Sequence, residues 1–266
     1  MRVHGIDFSG AKRAGEKVWV ASGEYDDGLT IHAVRQGTEL FGSADREPVL
    51  SGLREWIATQ EGAVGLDCSF GLPRQVHAHG SWRAFCEWFP DAFDGPEALQ
   101  GECAERTKAI TGGERTYLKR ATDERTNARS PYHWLVGPQT YYGIAEIVAP
   151  LVERGVAVEP MVPIQGAAVR LLEIYPAATL RELGLPDTTY KGGHEGERER
   201  RETILAGLRE WGVGLPAGVE TTLLDDSEGD ALDSVVAAVA VARAAEAGFV
   251  VGEESAYDPV EGYIYV

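Results

Sequence analysis

Lysine is scarce in this chain of 266 residues: Lys12, Lys17, Lys108, Lys119 and Lys191 are all there are. Lys plus Arg total 25 against 42 Asp plus Glu, a formal charge of -17. That balance excludes a generally basic coat for nucleic acid or anionic membranes, because either needs a net positive face to gather phosphates; a local basic patch stays compatible with it. Cysteine is equally thin. Cys68, Cys86 and Cys103 form no CxxC pair, so neither a disulfide framework nor a thiolate zinc site is expected. No apolar run approaches the roughly 18 residues of a membrane span, and the opening MRVHGIDFSG lacks the apolar centre of a signal peptide. The expectation is a soluble, cytoplasmic protein without membrane contact. Surplus carboxylate with few lysines also fits a halophilic source, where concentrated salt screens the repulsion; a GC-rich genome favouring Arg, Ala, Gly and Glu accounts for it equally well. Halophily predicts a melting temperature that rises from low salt to molar KCl, and a flat response contradicts it.

What is present is enough for a core. Apolar residues make up 44% of the chain, and the length suits one large domain. Val3 to Phe8, Lys17 to Tyr25 and Leu29 to Gln36 read as three consecutive strands, the last two joined at Asp26-Asp27-Gly28. Val49, Leu50, Leu53, Trp56 and Ile57 recur at helical spacing between Arg46 and Thr59, and Ala63 to Leu66 follows as a buried strand. Residues 74–138 have a weaker pattern, with helical pieces near Ser81 to Phe89 and Pro96 to Ile110, and read as an insertion within a single domain spanning 1–266. A helix near Gln139 to Glu153, a strand at Ala168 to Tyr175, helices after Pro176 and near Glu197 to Trp211, and a final helix at about Glu228 to Ala247 complete the order. Lys191 to Gly196 is Gly-rich and polar and reads as a mobile loop. Short βα units with buried strands imply an α/β fold, a mixed sheet covered by helices.

Five carboxylates sit oddly in this pattern. Asp7 closes one apolar run, Asp67 closes another in Gly65-Leu66-Asp67-Cys68-Ser69, Glu173 interrupts Leu171 to Tyr175, and Asp230 pairs at i,i+3 with Asp233 on one face of the last helix. An ionised carboxylate at a buried strand end is costly unless something pairs with it. Together they make sense around Mg²⁺ or Mn²⁺, since hard oxygen donors select such ions, and a pair of ions serves phosphodiester cleavage. Each also has a plainer account. Asp7 and Asp67 can turn the chain through Asx-type hydrogen bonds, Glu173 can pair with a buried arginine, and Asp230 can serve a helix start.

These residues lie in recognisable blocks. GIDFSG at Gly5 to Gly10, GLDCSFGLP at Gly65 to Pro73, EIYPAATL at Glu173 to Leu180 and GDALDSVVAA at Gly229 to Ala238 resemble, in order, four blocks of the predicted ribonuclease-H-like nuclease family known as domain of unknown function 429; the closing EGYIYV resembles its ending. The resemblance implies a ribonuclease-H-like fold, a five-stranded mixed sheet flanked by helices, into which the segment read above as a helical insertion falls after the fourth strand. It implies a carboxylate site at Asp7, Asp67, Asp230 and Asp233 as metal ligands, with Glu173 as a further member of the catalytic set. The expected activity is that of a metal-dependent nuclease or phosphodiesterase using two metal ions; the rival is a non-catalytic binding or scaffold protein of the same fold.

A nuclease at this net charge needs a local basic channel. The stretch from Arg106 to Arg129 is the candidate, carrying Arg106, Lys108, Arg115, Lys119, Arg120, Arg125 and Arg129, and Arg115, Lys119 and Arg120 are expected to hold a nucleic-acid or nucleotide backbone. A salt-bridged surface segment is the alternative. Ser9 and Lys12 in DFSGAK add a second phosphate-contact candidate, although the loop lacks the spacing of a P-loop, which argues against a kinase or ATPase. His77, His79 and Cys68 read as loop and core residues rather than as catalytic groups.

Overall fold

The computed structural model describes residues 1–252 and 257–266. Its strands are β1 (Arg2–Asp7), β2 (Trp19–Tyr25), β3 (Leu29–Gln36), β4 (Gly62–Leu66), β5 (Ala157–Glu159), β6 (Val169–Ile174) and β7 (Ile264–Tyr265). They form one sheet in the order β3-β2-β1-β4-β6-β5, with β7 also pairing with β6. β1, β2 and β3 are antiparallel, and β4, β5, β6 and β7 join in parallel. The α/β class and the mixed sheet match the sequence expectation, but the sheet has seven strands rather than five. The two additions are three and two residues long, too short to carry a visible period of two.

The helices are α1 (Gly37–Phe41), α2 (Arg46–Ala58), α3 (Trp82–Trp88), α4 (Pro96–Thr111), α5 (Ala121–Thr126), α6 (Gly137–Tyr142), α7 (Ala149–Glu153), α8 (Pro176–Glu182), α9 (Glu195–Glu210), α10 (Ala217–Asp225) and α11 (Asp230–Glu246). A π-helical segment, Gly143–Val148, links α6 to α7. The helices cover both faces of the sheet. One core joins Ile6, Val64 and Leu66 to Leu53, Phe85, Phe89 and Ile147. The other joins Val3, Ala63 and Leu172 to Leu205, Leu208, Val235 and Ala238. No described helix is long and apolar enough to cross a membrane.

The last helix is buried along almost its whole length, from Ala231 to Ala242, which explains its continuous small-apolar composition. It lies directly on β1 and β4 because glycines clear the way. A Cβ on Gly5 would overlap the backbone of Ser234 and Ala238, and one on Gly65 would sit 2.6 Å from side-chain carbons of Ile174 and Val241. These two glycines set how closely the acidic start of α11 approaches the strand ends.

His4 on β1 faces the opposite layer, where its Nδ1 shares a 2.9 Å hydrogen bond with Ser22 and its ring meets Trp56 edge-on. Burial, helped by Arg2, holds its pKa down to about 4. The unfolded ring takes its proton near 6.5, so His4 contributes stability above that pH that is lost as pH falls towards 4, on the order of 2 kcal/mol. Denaturant unfolding at pH 7 and pH 4 therefore loses less stability in His4→Gln than in the wild type; identical losses contradict this.

Candidate active site

The site lies where the parallel strands end. Ile6 pairs with Leu66 across β1 and β4, so Asp7 and Asp67, one residue further on, stand side by side on the face that Gly5 and Gly65 open to α11. A crevice beyond the carboxyl ends of parallel strands is where open α/β sheets bind ligands. The first turn of α11 brings Asp230 and Asp233 to the same place: the ammonium of Lys191 contacts Asp230 Oδ1 at 3.2 Å and Asp233 Oδ2 at 2.6 Å. Tyr190 donates its hydroxyl to Asp233 Oδ1 at 2.7 Å.

The electrostatics follow from this convergence. Burial drives the pKa of Asp7 well above the usual carboxylate range; Lys191 opposes the shift, while Asp230, Asp233 and Asp67 add to it. Asp67 is pushed up to about 8 by burial and then by Asp233, again against Lys191. Asp230 is raised too, chiefly by burial. Burial works against the charge on Lys191, but Asp233, Asp7 and Asp230 outweigh it and hold the ammonium ionised. Four carboxylates thus share one half-exposed lysine, and the cluster is short of positive charge.

The expected carboxylates Asp7, Asp67, Asp230 and Asp233 therefore come together, while Glu173 borders them beside Asp67, in whose cavity it also stands, but takes its partners elsewhere. Glu173 pairs with Leu66 in the sheet register, and the alternation of a strand sends it to the face opposite Asp67. There Glu173 Oε2 accepts from Arg120 Nη1 at 2.8 Å and from the Phe70 amide at 3.0 Å, while Oε1 accepts from Arg120 Nη2 at 2.5 Å. Arg120 also grips Asp123 through Nε at 3.0 Å and Nη2 at 2.7 Å. Arg120 is fully buried, so its expected role as a phosphate contact is corrected to that of an internal tie between α5 and β6. The plainer account of Glu173, pairing with a buried arginine, describes its contacts.

The other basic residues divide in the same way. Arg106 and Lys108 pair with Glu102 and Glu105, and Arg125 donates to the Ile264 carbonyl. Arg115, Lys119 and Arg129 have no carboxylate partner among the described residues and line a groove with Tyr175 and Arg181. Ser9 and Lys12 lie in the turn after β1, where Ser9 Oγ accepts from the Ala11 amide at 3.3 Å and Lys12 is exposed. Three site residues, Tyr190, Gln139 and Lys191, escape sequence reading. Gln139 Nε2 donates to the carbonyls of Phe8 and Asp67 at 3.0 and 2.5 Å, tying the two strand ends together. Lys191 belongs to the polar Gly-rich stretch read as a loop; its only signal is being one of five lysines in the chain.

The donor set is all carboxylate, the chemistry of a hard divalent cation, and its shortage of positive charge suits one. Among the described residues no three His, Cys, Asp or Glu side chains are grouped closely enough to hold a metal ion. The protein is thus an α/β protein with a buried carboxylate cluster at the ends of its parallel strands. The chain belongs to the family described as "Protein of unknown function (DUF429)", whose model matches residues 5–261. No curated protein and no solved structure matches it.

Proposed function

We propose that the protein is a metal-dependent phosphodiesterase or nuclease of ribonuclease-H-like fold, with Asp7, Asp67, Asp230 and Asp233 as the residues that hold Mg²⁺ or Mn²⁺. The observation that carries this reading is the convergence of four carboxylates from two strand ends and a helix on a site where the Lys191 ammonium contacts two of them. When bound, such ions supply Lewis-acid polarisation of a phosphodiester. The chain's own part is positional. Gly5 and Gly65 admit α11, Gln139 locks the ends of β1 and β4, and Tyr190 orients Asp233. Lys191 neutralises part of the cluster in the absence of another cation.

The Lys191 contacts also favour a second reading, a non-catalytic binding protein in which the lysine closes the cluster permanently. Lys191→Met separates the two. If the lysine holds the place of a metal ion, its removal tightens Mn²⁺ binding by about tenfold, the worth of one charge interaction of roughly 1.4 kcal/mol, and Mn²⁺-dependent cleavage of a phosphodiester survives. If the cluster is a closed structural element, Lys191→Met binds no Mn²⁺, and neither it nor the wild type cleaves single-stranded RNA, DNA or an activated aryl phosphodiester.

A further inference from the structure

We infer that the groove beside the carboxylate cluster is a binding track for single-stranded nucleic acid, an inference that rests on the phosphodiesterase reading and names its substrate class. The groove encloses about 720 Å³, within the range of about 300–1,000 Å³ typical of ligand sites. Its lining includes Arg115, Lys119, Arg129 and Arg181 against Glu124 and Asp187, and Asp187 is already paired with Arg181 at 2.9 Å. In a protein of charge -17, this is a locally basic track. Arg115 and Arg129 are exposed and Lys119 half-buried, and their lack of carboxylate partners among the described residues leaves their donors available to phosphate oxygens.

The groove leads to the Asp67 edge of the cluster. Ala128, Arg129 and Tyr175 line both it and a smaller cavity of about 150 Å³ that reaches Asp67, Gln139 and Glu173. A strand held along Arg115, Lys119 and Arg129 is thereby aimed at Asp67.

Aromatic rings distinguish a single strand from a duplex. Tyr117 and His133 line the groove with centroids 4.8 Å apart, and His133 continues to Trp134 at 5.7 Å with planes tilted by 32°. Trp134 is 62% exposed, an unusual setting for the largest apolar side chain. Burial lowers the His133 pKa, as does Arg129, which favours the uncharged ring that offers a face for stacking. Unpaired bases stack on such rings whatever their sequence, whereas the bases of a duplex are already stacked on each other.

Fluorescence anisotropy with a labelled 12-nucleotide oligo-dT or oligo-U, and with a duplex of the same length, tests this in EDTA, where binding is read without turnover. The single strand is expected to bind at least tenfold tighter than the duplex. The triple variant Arg115→Ala, Lys119→Ala, Arg129→Ala should weaken it at least tenfold and flatten the slope of log K against log salt by about 2, three phosphate contacts at about 0.7 each. Trp134→Ala and His133→Ala, at exposed and half-buried positions that leave the core intact, should each cost about fivefold or more. Equal or tighter duplex binding overturns the inference, as does binding indifferent to these variants or displaced equally well by inorganic phosphate. Strand binding that passes these tests in a protein that cleaves nothing with Mn²⁺ upholds the track and rejects the phosphodiesterase reading. Cleavage unaffected by the groove variants does the reverse.

Discussion

Asp7→Asn is expected to abolish turnover while stabilising the metal-free fold. Asp7 is 7% exposed and sits among Asp67, Asp230 and Asp233, with Lys191 opposing their charge. Its ionised form is costly when no further cation is present, because burial and like charge act in the same direction. The amide keeps the shape and removes the charge, so the metal-free variant should gain about 1 kcal/mol, seen as a rise in melting temperature of about 2–4 °C. The same change removes an oxygen donor from the proposed cation site. Loss of an outer partner of a bound metal already costs about 10–100-fold in affinity or activity, so cleavage should fall by more than about 100-fold. A variant that is both less stable and equally active contradicts both halves of the argument; one that is more stable and equally active removes Asp7 from the chemistry alone.

Arg120→Met is expected to have the largest effect on folding. The guanidinium is fully buried and satisfies two carboxylates, Glu173 and Asp123, as well as the carbonyl of Glu261. Removing it strands two charges inside the protein, and breaking a buried ion pair from one side costs about 3–5 kcal/mol. For a chain of this length that is a fall in melting temperature on the order of 10 °C. Because the cost arises from the orphaned carboxylates, adding Glu173→Gln and Asp123→Asn should recover much of it, a coupling that a mutant cycle measures. If the triple variant is no more stable than Arg120→Met, the loss comes from packing and not from charge. The tie also reaches the chain end. Glu261 accepts from the Arg74 and Ala121 amides at 2.7 and 2.9 Å, and the Ile264 amide donates to Thr122 Oγ1 at 2.8 Å, so β7 should lose its place when Arg120 does.

The parts of this arrangement that could be read from sequence are those expressed within a single element. Asp7 and Asp67 each end an apolar strand, and Asp230 and Asp233 share a helical face by their spacing, so all four stood out singly. Glu173 stood out for the same reason but faces the other side, because its direction depends on the register of β6 against β4, which no local pattern encodes. Arg120 could not be told from its exposed neighbours Arg115 and Arg129: all lie in one charged stretch, and only tertiary packing buries one of them. Lys191 sits 39 residues from Asp230, and its meeting with the carboxylates follows from the path of a polar loop with no period to read. The strands β5 and β7 were missed because β6 alone gives their few residues a partner.

The most direct test of the central claim, that these four carboxylates form one cation site, is a calorimetric titration of Mn²⁺ in high KCl, with and without a phosphorothioate oligonucleotide. The wild-type protein is expected to bind Mn²⁺, and Asp7→Asn to lose that binding or weaken it at least tenfold. Absence of binding in both conditions, or equal binding by the wild type and Asp7→Asn, would contradict it.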